Sequence, residues 1–322
     1  MRIFLFTAAL LVSLPVSLPA KPLTIKFSHV VAKDTPKGHA VEHFKQLVEE
    51  RSNGRLLVRI YPNSTLYDDR AALKALERNT IQLAAPSFSK FIDYAPELQL
   101  FDLPFLFRDR QHLHRVLDGE AGQTLLQTAN RRGLHALAFW DNGFKQLTAN
   151  KPLIRPEDAK GLKFRIMSSK VLESQFLALE ANPQVLPFSE VYSALQQGLV
   201  SGEENTLSNI YTKNLYRVQS DLTLSNHGYL GYLVVTNELF WQKLPADLKR
   251  IISDAIMETT LFTRETSRQV NARYLEKIET EGRMRIHRLS PAQRQAWKEK
   301  MAVVYAQFYG LIGEELIRKV QE

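Results

Sequence analysis

Residues 24–62, TIKFSHVVAKDTPKGHAVEHFKQLVEERSNGRLLVRIYP, decide the fold class. TIKFSHVV alternates apolar and polar residues with the period of a half-buried strand. Asp34 or Thr35 can then cap a helix, and Pro36 fits its first position. Val41, Phe44, Leu47 and Val48 make one apolar helical face, and Asn53-Gly54 ends it. RLLVRIYP reads as a second strand, DRAALKALERNT as a second helix and IQLAAPSF as a third, central strand. A βαβαβ run predicts an open, mostly parallel sheet with ligands at the carboxyl ends of its strands. The segments after the strands therefore carry the functional interest: 29–37, 62–67 and 87–94.

Working outward, LFDLPFLFRDRQHLHRVL reads as a Pro104-Phe105 turn and a helix, and LHALAFWD as a strand. FKQLTANKPL and GLKFRIMS read as strands of a new unit, so a second α/β domain is expected from about residue 143. Two helices follow, SKVLESQFLALEANP with Ser168 or Ser169 as cap, and FSEVYSALQQGLVSG with Ser189 as cap and Gly202 closing it. NHGYLGYLVVTNELF is aromatic and β-branched enough for a strand. From about Pro245 to Glu281 a helical pattern runs without internal Gly or Pro, as a strut between domains or as two helices with an unmarked break. RMRIHRLS and a last helix from Pro291 complete the chain.

The first twenty residues have the pattern of a secretory signal peptide: Arg2, an apolar run, then Ser-Leu-Pro-Ala with cleavage expected after Ala20. A soluble, exported protein is the expectation. Arg2 is the only charge in that segment, so the remainder carries 41 Lys and Arg against 34 Asp and Glu, net +7. The charges are mixed along the chain with no dense basic run, which argues against nucleic acid and suits capture of small anions. There is no cysteine, hence no disulfide and no lipid attached through one.

No GxSxG, P-loop, HExxH or dinucleotide-binding glycine pattern occurs. His112 and His114 lie too close in sequence to share a helix face, so no zinc site is expected. Glu203-Glu204, read as adjacent helical residues, would point apart and act independently. Neither a catalytic function nor a cofactor is expected. An exported chain of two α/β domains without catalytic motifs fits a solute-binding protein whose domains close over a ligand. Arg165, near the end of the strand GLKFRIMS, is on its own either a solvated residue or a rigid fork for a carboxylate.

Residues 164–205, FRIMSSKVLESQFLALEANPQVLPFSEVYSALQQGLVSGEEN, resemble the core signature of TRAP transporter solute-binding proteins of the DctP family. WDNGFKQLTANKPL, TPKG and HGYLGYLVVTNELFWQKLP match further segments in order. TPKG, SEVYSALQQG and HGYLGY are most similar to the C4-dicarboxylate branch, whose ligands are succinate, fumarate and malate. The resemblance implies a two-domain α/β fold with a cleft between the domains, joined by crossing strands and spanned by the long helix. The division expected is 21–142 with 231–265, and 143–230 with 266–322. It also implies a small and a large membrane subunit as partners and uptake driven by a sodium gradient. Within it, Arg165 falls on the carboxylate-binding arginine and Asn205 on a ligand-contacting asparagine, with the helix N-terminus at Ser168 beside them. Lys37 is the expected anchor for a second carboxylate. Ser87 and Ser89 are placed to hydrogen-bond a ligand, or are turn residues. Lys145 stands where other branches carry arginine, and contacts ligand or supports the site. His227, Tyr229 and Tyr232 lie at the domain crossing, as hinge packing or as a donor to the ligand. Phe105 and Trp140 are expected in the core or cleft wall. The alternatives are another organic acid (a monocarboxylate, 2-oxoacid or sugar acid) or a sensor that signals to a membrane receptor.

Overall fold

A computed structural model describes residues 21–322. The expected signal peptide lies outside the described residues. The chain begins β1 (Leu23–Ser28), α1 (Pro36–Arg51), β2 (Leu56–Tyr61), α2 (Asp69–Glu77) and β3 (Leu83–Ala84). Thr35 rather than Asp34 caps α1: its Oγ1 accepts the Gly38 N–H at 3.1 Å, with Pro36 following in the first turn. The third strand is shorter than expected, because Pro86 cannot continue the ladder.

Next come α3 (Arg110–Asp118), α4 (Glu120–Thr128) and a single 16-residue strand, β4 (Leu134–Ala149). Two strands were expected over this stretch; they are one strand running through a bulge. The second unit is β5 (Lys163–Ile166), α5 (Lys170–Ala178), β6 (Asn182–Val185), α6 (Val191–Gln196), β7 (Gly202–Asn205) and α7 (Leu207–Thr212). Ser169, not Ser168, caps α5. Helix α6 is shorter than its pattern, closed by Gly198 in the left-handed region, and Gly202 opens a strand instead. Then follow β8 (Asp221–Asn237), α8 (Glu238–Lys243), the 36-residue α9 (Ala246–Glu281) and β9 (Arg285–Arg288). The last helix is three: α10 (Pro291–Met301), α11 (Val303–Gln307) and α12 (Glu314–Gln321), interrupted at Ala302 and again over 308–313, which holds Gly310 and Gly313.

All nine strands form one sheet, ordered β2-β1-β3-β8-β4-β7-β5-β6, with β9 added to β8. The wings are parallel, as the βαβ pattern predicts, but the centre is antiparallel. The long strands β4 and β8 pair along their whole lengths there. One wing hangs on the end of β8, where Leu83 and Ala84 meet Thr236 and Val235. The other hangs on the end of β4, where Gln146–Ala149 meet β7. The register of the crossing pair shifts between Asp141 and Gly143 and again between Lys145 and Leu147. Gly143 has φ +136°, which a side chain would strain, so the bulge needs glycine.

Separate cores cover the wings. Phe27, Phe44, Trp140 and Val234 belong to one, with Trp140 stacked on Phe27. Phe105, Phe164, Phe176 and Trp297 belong to another. The C-terminal residues Val304, Phe308, Ile317 and Val320 pack with Leu113, Leu125 and Leu233. Helix α9, about 54 Å long at 1.5 Å per residue, packs on α1, β4 and α7 and so braces both wings. No described helix is long and apolar enough to cross a membrane.

Candidate functional site

A cleft of about 290 Å³ opens at the carboxyl ends of the parallel strands, where the two wings face each other. Ser87 and Lys90 reach it from the segment after β3, Met167 and Ser168 from the end of β5, and Asn205 from the end of β7. Contacts bridge the cleft: Lys90 Nζ lies 3.3 Å from Ser168 Oγ, and Ser168 Oγ donates to the Ser89 carbonyl at 3.4 Å.

Arg165 is 2% exposed and fixed on β5. Its Nε and Nη2 both donate to the Leu186 carbonyl, at 3.1 and 2.9 Å. That locks one edge of the guanidinium and leaves the Nη1–Nη2 end to face the cleft. Asn205 sits at the end of a fully buried strand. Its Oδ1 accepts from Thr206 N–H and Asn209 Nδ2, and one of its amide hydrogens goes to Glu203 at 3.0 Å. The second amide hydrogen has no acceptor among the described residues. The expectation that Glu203 and Glu204 are helical and that Asn205 follows a helix was wrong, because GEEN is a strand pinned between β4 and β5. Glu203 and Glu204 do point apart, though as strand neighbours rather than helical ones.

Lys37 is fully buried beside the cleft without lining it. Its Nζ donates to the Ala85 carbonyl at 2.8 Å and lies 3.7 Å from the centre of the Tyr232 ring, which does line the cleft. Burial lowers its pKa to about 8, against a partial opposing pull from Asp69. Lys90, which sequence reasoning did not single out, is the ammonium that reaches the cleft itself. Burial lowers its pKa too, with Asp69 opposing. Its segment was flagged as a loop after a strand, but nothing in FSKF marks one lysine as inward-facing.

Among the described residues, no carboxylate lies within ion-pair distance of Arg165, Lys37 or Lys90. Lys145 behaves oppositely. Its Nζ is 2.6 Å from Glu204 Oε1, and Glu204 Oε2 is 2.8 Å from His227 Nε2. His227 Nδ1 in turn meets Ser225 Oγ at 2.7 Å. Burial would raise the Glu204 carboxyl, but Lys145 and His227 outweigh it and hold it at about 2. Lys145 and His227 therefore form a closed structural network across β4, β7 and β8, away from the cleft lining. Tyr229 is likewise spent, donating to Asp141 Oδ1 at 2.8 Å. Ser87 lines the cleft, and Ser89 lies beneath it, with the two Oγ atoms 3.2 Å apart. No described group of His, Asp and Glu could hold a metal ion.

Two α/β wings on crossing strands, with unpaired cations facing an interlobe cleft, define a hinged receptor for a small anionic solute. The chain belongs to bacterial extracellular solute-binding protein family 7, DctP, whose family model matches residues 27–310. The activity of this family is binding rather than catalysis. The chain is 46% identical to the C4-dicarboxylate-binding periplasmic protein DctP of Rhodobacter capsulatus over 312 residues, 96% of this chain and 94% of that one. It also resembles a TRAP periplasmic solute-binding protein from Sulfurospirillum deleyianum, solved with bound succinate. The identity is 54% and the TM-score 0.89, covering 93% of this chain and 98% of that one. A relative from Pseudomonas aeruginosa solved with L-malate has 41% identity and a TM-score of 0.87, covering 89% and 100%.

Proposed function

We propose that this chain is the periplasmic receptor of a TRAP transporter and captures C4-dicarboxylates such as succinate, fumarate and malate. The observation that carries this reading is the set of cations at or beside one cleft, Arg165 and Lys37 buried and Lys90 partly buried, without a carboxylate in ion-pair contact. Burying unpaired charge is costly, so such a set is built for an anion that arrives later. The names of the similar proteins support the same class of ligand. Arg165 would clamp one carboxylate by its free Nη1–Nη2 end, with the spare amide hydrogen of Asn205 beside it. Lys90, with Ser87 and Ser168, would take the other carboxylate. Lys37 would add field from behind Tyr232.

The two wings would turn about the bulges at Asp141–Gly143 on β4 and the facing Leu230–Gly231 on β8, close to the expected boundaries at 142/143 and 230/231. The closed form would then be offered to a small and a large membrane subunit for sodium-driven uptake. Calorimetry on ligand-stripped protein tests the reading: heat of binding is expected with all three C4 acids and not with butyrate. Silence with all three would overturn it.

A further inference from the structure

A second cavity, of about 530 Å³, lies away from the cleft, against the crossing strands and α9. Phe144 and Gln146 of β4 line it, and four guanidiniums border it: Arg108, Arg110, Arg268 and Arg294. The one carboxylate on its lining is Asp109, whose Oδ1 accepts the His112 N–H at 2.7 Å. Two of the arginines are spent. Arg108 donates to the Gln321 and Glu322 carbonyl oxygens, each at 2.8 Å, and Arg268 Nε donates to Glu265 at 2.9 Å.

Arg110 and Arg294 are different. Among the described residues neither guanidinium makes a hydrogen bond or ion pair with protein. Arg110 Nη1 is shielded from solvent without any acceptor. Arg294 lies over the Phe105 ring at 4.9 Å, a contact that fixes its plane but satisfies none of its N–H groups. Both are half-buried, and burial lowers the pKa of each, for Arg110 against the pull of Asp141. A half-buried guanidinium without an acceptor is costly, and two on one cavity favour a group with several oxygens.

We propose that this cavity is a second anion site, in which Arg110 and Arg294 hold a small free oxyanion of the phosphate type. The site is independent of the dicarboxylate reading, since it shares no residue with the cleft.

Inorganic phosphate, titrated calorimetrically at constant ionic strength in chloride, is the probe. Wild type is expected to bind it at one site. Arg110→Gln combined with Arg294→Gln is expected to weaken binding at least tenfold, while Arg165→Gln leaves it within twofold. Absence of binding to wild type, equal affinity in the double variant, or loss in Arg165→Gln would each overturn the proposal. Retained succinate binding checks that the double variant is folded. If it is not, the Nε–Hε resonances of Arg110 and Arg294 in wild type carry the test: both must shift on adding phosphate, and unmoved resonances reject the site.

Discussion

Arg165 on β5 and Glu203 on β7 are register partners in adjacent parallel strands, yet they do not form an ion pair. The arginine gives one edge to the Leu186 carbonyl, and the glutamate accepts from Asn205 and, at 3.3 Å, from Thr148. Each charge is thus oriented by neutral groups, and the free end of the arginine stays available. A direct pair would neutralise the site before the ligand arrived.

Arg165→Lys is expected to lose nearly as much succinate affinity as Arg165→Ala. A lysine cannot both hold Leu186 and present two parallel N–H groups to a carboxylate. Losing charge-assisted bonds of about 1.5–3 kcal/mol each weakens binding roughly ten- to a hundredfold or more. Calorimetry on both variants decides, and near-native affinity in the lysine variant would show that the fork is not used.

The second carboxylate separates Lys90 from Lys37. Lys90→Ala should weaken succinate about tenfold or more and change nothing for butyrate, which has no second charge and is expected to give no heat with either protein. Lys37→Ala should cost less affinity but also stability, because its ammonium supports Ala85 and Tyr232. A larger affinity loss at Lys37 than at Lys90, in a two-ligand titration of both variants, would make Lys37 the anchor instead.

Glu203 should make the unliganded protein less stable as pH rises. Burial raises its pKa from 4.5 to about 7, against the opposing pull of Arg165, so the folded state holds the proton more tightly than the unfolded chain does. The stabilisation is complete below pH 4.5 and is lost as pH climbs through about 7. Asp102, raised to about 6 by burial, acts in the same direction. Urea denaturation at pH 5 and pH 8 should show that Glu203→Gln removes up to ~3 kcal/mol of the wild-type decline. An unchanged decline would mean that Glu203 is ionised throughout.

Lys145→Met should destabilise the fold by about 3–5 kcal/mol, because it strands the buried Glu204 with only His227 beside it. Succinate affinity of the folded fraction should change by less than about threefold, as Lys145 does not line the cleft. Thermal unfolding read together with calorimetry tests this. A large affinity loss without loss of stability would return Lys145 to the ligand.

The sequence by itself determined the wings. Period-two strands, Thr35 before Pro36, the serine cap of α5 and the unbroken run of α9 are local signals, and local physics is enough to read them. It also marked Arg165 and Asn205, through a resemblance spread over long segments. Tertiary structure alone decided the strand beside the crossing pair. GEEN has neither strand propensity nor apolar pattern; it is a buried strand because Lys145, His227 and Thr148, distant in sequence, meet its glutamates. NPQV is tolerated as strand β6 because it lies at an edge, where its proline is not needed as a donor on both sides. The roles of the lysines were also decided there. Lys37, Lys90 and Lys145 look alike in sequence. Whether a buried ammonium is free for a ligand depends on whether a carboxylate from another strand reaches it first, and no local pattern encodes that distance.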